Sequence, residues 1–72
     1  MEPVPVRCRI PDLLNRIGKD QQWLADISGK SKTQISDYCT MRKIMNLRTA
    51  VLLAYYLKCK IDDIYVWELR QL

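Results

Sequence analysis

Two small residues and two apolar residues stand at fixed intervals in the middle of this chain, and their spacing limits the fold more than any other feature. Ala25 is followed four positions later by Gly29, and Ile35 and Tyr38 come six and nine positions after that glycine. A close helix crossing needs a small side chain at the contact, and a sharp turn needs a residue that tolerates positive φ. Apolar residues three apart share one helix face. The four positions therefore predict two short helices packed closely across a glycine turn.

The second of these helices has a clear start. Ser31 is followed three residues later by Gln34, and this is the pattern of a capping box, in which each side chain bonds the other residue's backbone N–H. We therefore predict a helix over residues 32–40. With Ile35 and Tyr38 facing inward, the helical period places Lys32 at the leading end and turns four further side chains outward: Thr33, Ser36, Asp37 and Thr40.

The rest of the chain predicts a mainly α domain of four to five short helices. Pro11 suits the first position of a helix, and Gly18 suits the left-handed residue that ends it. Asp20 is a good cap for the next helix. Asn46 caps a fourth, almost continuously apolar helix that runs to about Lys58 and is expected to form the centre of the core.

Both ends of the chain alternate apolar and polar residues with the period of an extended strand. Near the start, one predicted face carries Val4, Val6, Cys8 and Ile10; near the end, Tyr65, Trp67 and Leu69 alternate with their neighbours. A small two-stranded ribbon between the two ends is one interpretation, with Pro5 keeping the first strand at an edge. The predicted organisation is an arm or edge strand over 1–9, a domain over 10–66 with its core at 21–40, and a tail or strand over 67–72.

The composition narrows the classes of function. The 72 residues carry a net charge of +4 and no histidine, which suits a polyanionic partner and leaves no catalytic triad of the usual kind. Three widely separated cysteines do not have zinc-site spacing. We therefore expect no enzyme, metal or cofactor. The N-terminus lacks the features of a signal peptide and no apolar run is long enough to cross a bilayer, so a cytoplasmic protein away from membranes is expected.

The chain resembles the lambda-repressor-like (Cro-type, XRE) helix-turn-helix family over residues 10–65. Residues 24–29 and 35–38 resemble its core signature, 14–21 its first helix and the approach to the second, and 57–65 its closing segment. The resemblance implies a compact helical bundle that regulates transcription from operator DNA, often in phages and mobile elements. It also implies that Gln21 holds a phosphate and braces the second helix of the motif.

The sequence departs from this family at the turn and after the second helix of the motif. Lys30 stands where the family usually has an aliphatic residue, and it either loosens the turn or adds a phosphate contact. Met41 replaces a frequent glycine, and Met45 stands where a proline often precedes the fourth helix. The path of the intervening loop is therefore not predicted by the resemblance.

In this motif the first residues of the second helix reach base edges in the major groove. Lys32 can donate to guanine O6 or N7, and Thr33 can use its hydroxyl or touch a thymine methyl group. Ser36 offers a hydroxyl to a base or phosphate. Asp37 has two open interpretations, acceptance from cytosine N4 or a structural ion pair with a nearby lysine.

Phosphate contacts complete the predicted surface. Backbone N–H groups at the two helix starts, Gln21 and Ser31, form an anion site, and Arg42 and Lys43 follow the second helix toward the sugar-phosphate backbone. The leading hypothesis is a sequence-specific regulator, Cro-like or a small repressor, that binds double-stranded DNA. The alternative is a protein-interaction module of the antitoxin or antirepressor type. A homodimer and a protein partner docked on exposed aromatic residues are both compatible with the sequence.

Overall fold

The computed structural model describes residues 1–71 and contains four helices and a two-stranded antiparallel sheet in that part of the chain. This agrees with a mainly α domain whose two ends pair as a ribbon. The elements in chain order are β1 (Glu2–Cys8), α1 (Ile10–Arg16), α2 (Gln21–Ser28), α3 (Lys32–Cys39), α4 (Leu47–Leu57), a 3-10 helix (Ile61–Asp63) and β2 (Tyr65–Arg70).

Side-chain caps define where three of the helices begin. In each case the cap oxygen accepts a hydrogen bond of 2.8–3.0 Å from the backbone N–H three residues on, so one otherwise unpaired donor is satisfied; the caps are Asp20, Ser31 and Asn46. α1 begins at Ile10, one residue earlier than predicted, with Pro11 in its first turn. α4 ends at Leu57, and Lys58 caps it in the left-handed conformation.

The core lies where the four helices meet the start of β2. Every helix contributes at least one side chain that is fully or almost fully buried, and burial of each such side chain stabilises the fold by ~1.5–3 kcal/mol. The largest fully buried side chains are Ile10, Leu13, Leu24, Ile35, Leu53 and Leu57 on the helices and Ile64 just before β2. α4 buries five of its eleven residues, more than any other helix, so the expectation that α4 is central to the core is confirmed.

The ribbon is present, but the predicted apolar face of its first strand is wrong at Val6 and at Ile10. The register shifts between Pro5 and Arg7, and an extra residue in one strand changes the side to which its neighbours point. Val6 is therefore exposed while Cys8 is buried, and Ile10 belongs to α1 rather than to the strand. β2 begins at Tyr65, where the alternation of apolar and polar residues also begins.

Candidate nucleic-acid interface

The surface of interest begins at the first turn of α2. Asp20 closes this turn by accepting the backbone N–H of Trp23 at 2.8 Å. Gln21, the first residue of the helix, is half-buried. A shallow cleft brings Gln21 together with Lys32 at the start of α3, although the two residues are eleven positions apart. The two helix starts that the sequence predicts to cooperate are therefore neighbours.

Residues 29–31, the entrance turn, connect α2 to α3. Gly29 adopts φ +76°, the left-handed region that glycine enters without strain, and its N–H donates to the carbonyl of Ala25 at 3.1 Å. The backbone N–H of Lys30 donates to the Ser28 hydroxyl oxygen at 3.4 Å. Lys30 lines a cleft at the start of α4, beside Asn46 and Arg48. The turn is closed by hydrogen bonds on both sides of the glycine.

The capping box at the start of α3 is formed in both directions. Gln34 donates its backbone N–H to the Ser31 hydroxyl oxygen at 3.0 Å, and Ser31 donates its own N–H to Oε1 of Gln34 at 2.9 Å. Ile35 is completely buried and Tyr38 packs against the core. This anchoring fixes the rotation of the helix and leaves Lys32 and Thr33 exposed at its leading end, as the sequence predicts.

The prediction that the later residues of α3 face outward needs correction. Ser36 is half-buried, and the Asp37 side chain is only 14% exposed because its carboxylate faces the returning loop. The Asp37 oxygens lie 3.9 Å from Nζ of Lys43 and 4.0 Å from Nε of Arg42. Of the two interpretations of Asp37, this geometry matches the ion pair. The helical period alone missed it because the loop folds back over the helix end.

Thr40 lies just beyond the helix rather than inside it. α3 ends at Cys39, one residue short of the predicted end, and Thr40 is the cap residue. Thr40 is exposed, but its hydroxyl donates to the carbonyl of Ser36 at 2.9 Å. The hydroxyl therefore stabilises the helix end, and its proton is not directed at a partner molecule.

Residues 40–46, the exit loop, return over the end of α3. Met41 adopts φ +63°, so a methionine occupies the left-handed conformation at the position where the resemblance implies glycine. The backbone N–H groups of Arg42 and Lys43 both donate to the carbonyl of Asp37, at 2.9 and 3.2 Å. Both long side chains are largely exposed. The loop thus holds two cations beside α3.

Two contacts at the helix end were not foreseen from the sequence. The backbone N–H of Met45 donates to the buried hydroxyl of Tyr65 at 3.2 Å, and the thiols of Cys8 and Cys39 are neighbours. A hydrogen bond from Cys39 lowers the pKa of Cys8 and the same contact raises the pKa of Cys39. Both contacts link α3 and its loop to the ribbon, and no local sequence pattern predicts pairs so distant in the chain.

Two features are absent from residues 1–71, a cluster of metal ligands and a membrane-spanning helix. No group of three His, Cys, Asp or Glu side chains is arranged to hold a metal ion among them. No helix of this part of the chain is long and apolar enough to cross a membrane. The feature that stands out is the pair of capped helices joined by a glycine turn, with the start of the second helix exposed. This arrangement defines a helix-turn-helix domain.

Sequence comparison agrees with this class. The chain is 33% identical over 66 residues to the SPbeta prophage-derived uncharacterized HTH-type transcriptional regulator YopS of Bacillus subtilis (strain 168), covering 90% of this chain and 89% of that protein. It is 31% identical over 68 residues to the regulator YotL, described in the same words and from the same strain, covering 93% and 85%. No protein-family model matches the chain. The chain therefore belongs to the family of HTH-type transcriptional regulators.

Proposed function

We propose that this protein is a sequence-specific regulator that binds double-stranded DNA with the start of α3 in the major groove, in the manner of a Cro-like protein or small repressor. The observation that carries the proposal is the anchored, capped α3, whose inner face is held by Ile35 while Lys32 and Thr33 are exposed at its leading end. In this motif those first residues contact base edges. The names of the two Bacillus subtilis relatives support the coarser role of a transcriptional regulator.

In the proposed complex, the first turn of α3 contacts the bases. Lys32 donates to guanine O6 or N7, and Thr33 contacts a neighbouring base through its hydroxyl or methyl group. Ser36 is half-buried, so its short hydroxyl serves at the margin of the surface. Asp37 acts as a positioning residue for the exit-loop cations, because its carboxylate faces Arg42 and Lys43.

Phosphate binding is assigned to both sides of α3. On one side lie Gln21 and the backbone N–H groups at the starts of α2 and α3, where the helix dipole favours an anion. On the other side, Arg42 and Lys43 are exposed and held by the exit loop. Such contacts set the register of the protein on the duplex and carry no sequence information themselves.

Selection of bound sequences from random duplexes tests the proposal, and Lys32→Ala is the informative variant. We expect one preferred site, with a loss of ~1–3 kcal/mol in binding and relaxed preference at one base position in the variant. Lys60→Ala removes the same charge from an exposed lysine after α4 and is expected to keep the base preference. No enriched sequence, or equal behaviour of the two variants, would refute the assignment.

The salt dependence separates phosphate contacts from base contacts. Each phosphate contact contributes ~0.9 to the slope of log affinity against log salt concentration. Arg42→Ala and Lys43→Ala should each reduce that slope by about one contact while leaving the selected sequence unchanged. A change in the selected sequence would instead indicate that these residues contact bases.

The alternative of a protein-interaction module has less support. It drew on an acidic residue in the reading surface and on spare aromatic residues. The Asp37 side chain is mostly buried and faces two cations, whereas Tyr55 and Trp67 are exposed. This alternative predicts a stoichiometric protein partner together with failure to bind DNA even at low salt. The random-duplex selection therefore separates the two functions directly.

A further inference from the structure

Cys8 and Cys39 place two thiols in contact where the ribbon meets the end of α3. Cys8 is the last residue of β1 and is 3% exposed, and Cys39 is the last residue of α3 and packs against the same core. Their thiols share a hydrogen bond, although the two residues are thirty-one positions apart. Because Cys39 is only half-buried, the pair reaches the surface, where a small reagent can approach it.

Tyr65 connects this pair of thiols to the exit loop. It stands opposite Cys8 in the register of β1 and β2, and its hydroxyl accepts the N–H of Met45 at 3.2 Å. Cys39 is followed directly by the same loop. A change in the distance between the two sulfurs therefore acts at the point where α3, the exit loop and the ribbon meet.

The third cysteine has different surroundings. Cys59 is also half-buried, but its thiol lies beside the Asp63 carboxylate. Burial and that carboxylate raise the pKa of Cys59, whereas the hydrogen bond from Cys39 lowers the pKa of Cys8. Since the thiolate is the nucleophilic form of cysteine, the pair is expected to react before Cys59 does.

We propose that Cys8 and Cys39 form a redox switch, in which a hydroperoxide joins the two sulfurs in a reversible disulfide and the end of α3 moves toward the ribbon. A disulfide bond is ~2.05 Å long, much shorter than a contact between two thiols. The last turn of α3 and the start of the exit loop must therefore move when the bond forms. The bond itself does not rest on the proposed function; only its effect on DNA binding does.

The reaction proceeds in two steps that consume one peroxide molecule. The Cys8 thiolate attacks a peroxide oxygen, the O–O bond breaks, and the departing hydroxide takes up the proton that the Cys8 thiol released, which leaves a sulfenic acid on Cys8. The Cys39 sulfur then attacks the Cys8 sulfur, the S–O bond breaks, and a second water leaves with the Cys39 proton. The two thiols have given two electrons to the peroxide, and a dithiol reductant returns them by thiol–disulfide exchange.

Peptide mapping of the full-length protein after treatment with hydrogen peroxide tests the bond. We expect one linkage, between Cys8 and Cys39 of the same chain, with Cys59 still open to alkylation and both thiols recovered in dithiothreitol. The melting temperature should rise by about 10 °C or more, because the bond closes a long loop in the unfolded chain.

Two variants serve as the matched pair for this rise in melting temperature. Cys59→Ser removes the half-buried cysteine outside the pair and should keep the rise. Cys39→Ala removes the half-buried member of the pair and should abolish it, with circular dichroism verifying that both variants fold. No linkage, a linkage to Cys59, or a linkage between two chains would overturn the proposal.

Binding to the duplex obtained from the random-sequence selection measures the effect on DNA, with Cys59→Ser as the background so that only the pair reacts. Oxidation should weaken binding several-fold, because Arg42 and Lys43 lie beside the end of α3 that moves, and reduction should restore it. Cys39→Ala in the same background should bind equally well with and without peroxide. Equal binding by the oxidised and reduced pair would overturn the switch. If the bond forms and neither state binds DNA, the proposed function fails while the disulfide stands.

Discussion

The two ends of α3 are built in different ways, although both pass through a left-handed residue. At the entrance turn, Gly29 takes φ +76° and Ser31 caps the helix within three residues. At the exit loop, Met41 takes φ +63°, a conformation that costs an L-residue roughly 1–2 kcal/mol. One local and one distant contact hold this loop: the Asp37 carbonyl of α3 accepts two of its N–H groups, and the Tyr65 hydroxyl of β2 accepts the N–H of Met45.

Residues close in sequence therefore fix the start of α3, whereas a tertiary contact helps to fix its end. The entrance depends on residues adjacent in sequence, so it can form as soon as the helix does. The exit also depends on a tyrosine twenty residues away from its partner, so its Met45 hydrogen bond needs β2 to be docked. We expect substitutions at the entrance to act through α3 itself and substitutions at the exit to act through the packing of the whole domain.

The largest effect is expected for Tyr65→Phe, which removes the buried hydroxyl that accepts the Met45 N–H. An unsatisfied buried donor costs ~1–3 kcal/mol, so the free energy of unfolding should fall by about 2 kcal/mol in urea denaturation. Tyr55→Phe is the matched control, because that tyrosine is 75% exposed and should change little. Equal losses in the two variants would contradict tertiary control of the exit loop.

Gly29→Ala is expected to destabilise the domain by about 1.5 kcal/mol through backbone strain. A Cβ atom at this position would meet no heavy atom within 4 Å, so a steric clash does not add to the cost. Thermal or urea unfolding followed by circular dichroism measures the loss. A neutral result would mean that the entrance turn adopts another conformation in solution.

Position 41 provides a second test of backbone strain, because alanine and glycine can be compared there as they are at position 29. Met41→Ala and Met41→Gly both lose the methionine contacts with the core, so their difference isolates the backbone conformation. Glycine should be the more stable of the two by about 1 kcal/mol. Equal stability would show that the exit loop relaxes once the methionine side chain is removed.

Ser31→Ala should cost about 1 kcal/mol, because the Gln34 N–H loses its side-chain acceptor. Thr33→Ala provides the control on the exposed side of the same helix, and there alanine's higher helix propensity should leave stability unchanged or slightly raised. If the two variants unfold alike in urea, the capping box does not contribute to stability.

Asp37→Asn is expected to have the smallest effect, about 0.5 kcal/mol, because its ionic partners are long and largely exposed side chains. Salt screens such pairs, so the difference from the unchanged protein should shrink at high ionic strength. A loss that is larger and independent of salt would assign Asp37 a packing role in place of the ion pairs.

The sequence by itself determined the helix-turn-helix and its caps, because Gly29, Ser31 and Asn46 act on backbone groups only a few residues away. It also indicated the ribbon, since strand alternation is a local pattern. The exposed Lys32 and Thr33 follow from the same periodicity.

Only the tertiary structure decided which side chains depart from the orientation that the helical and strand periods predict. Asp37 turns toward Arg42 and Lys43 because the exit loop returns over α3, and Val6 is exposed because the strand register shifts beside it. The apolar residues of α4 divide between the core and the surface according to which neighbours cover them. These outcomes depend on where distant segments meet, and the energies of such contacts are set by packing rather than by the residues next to them in the chain.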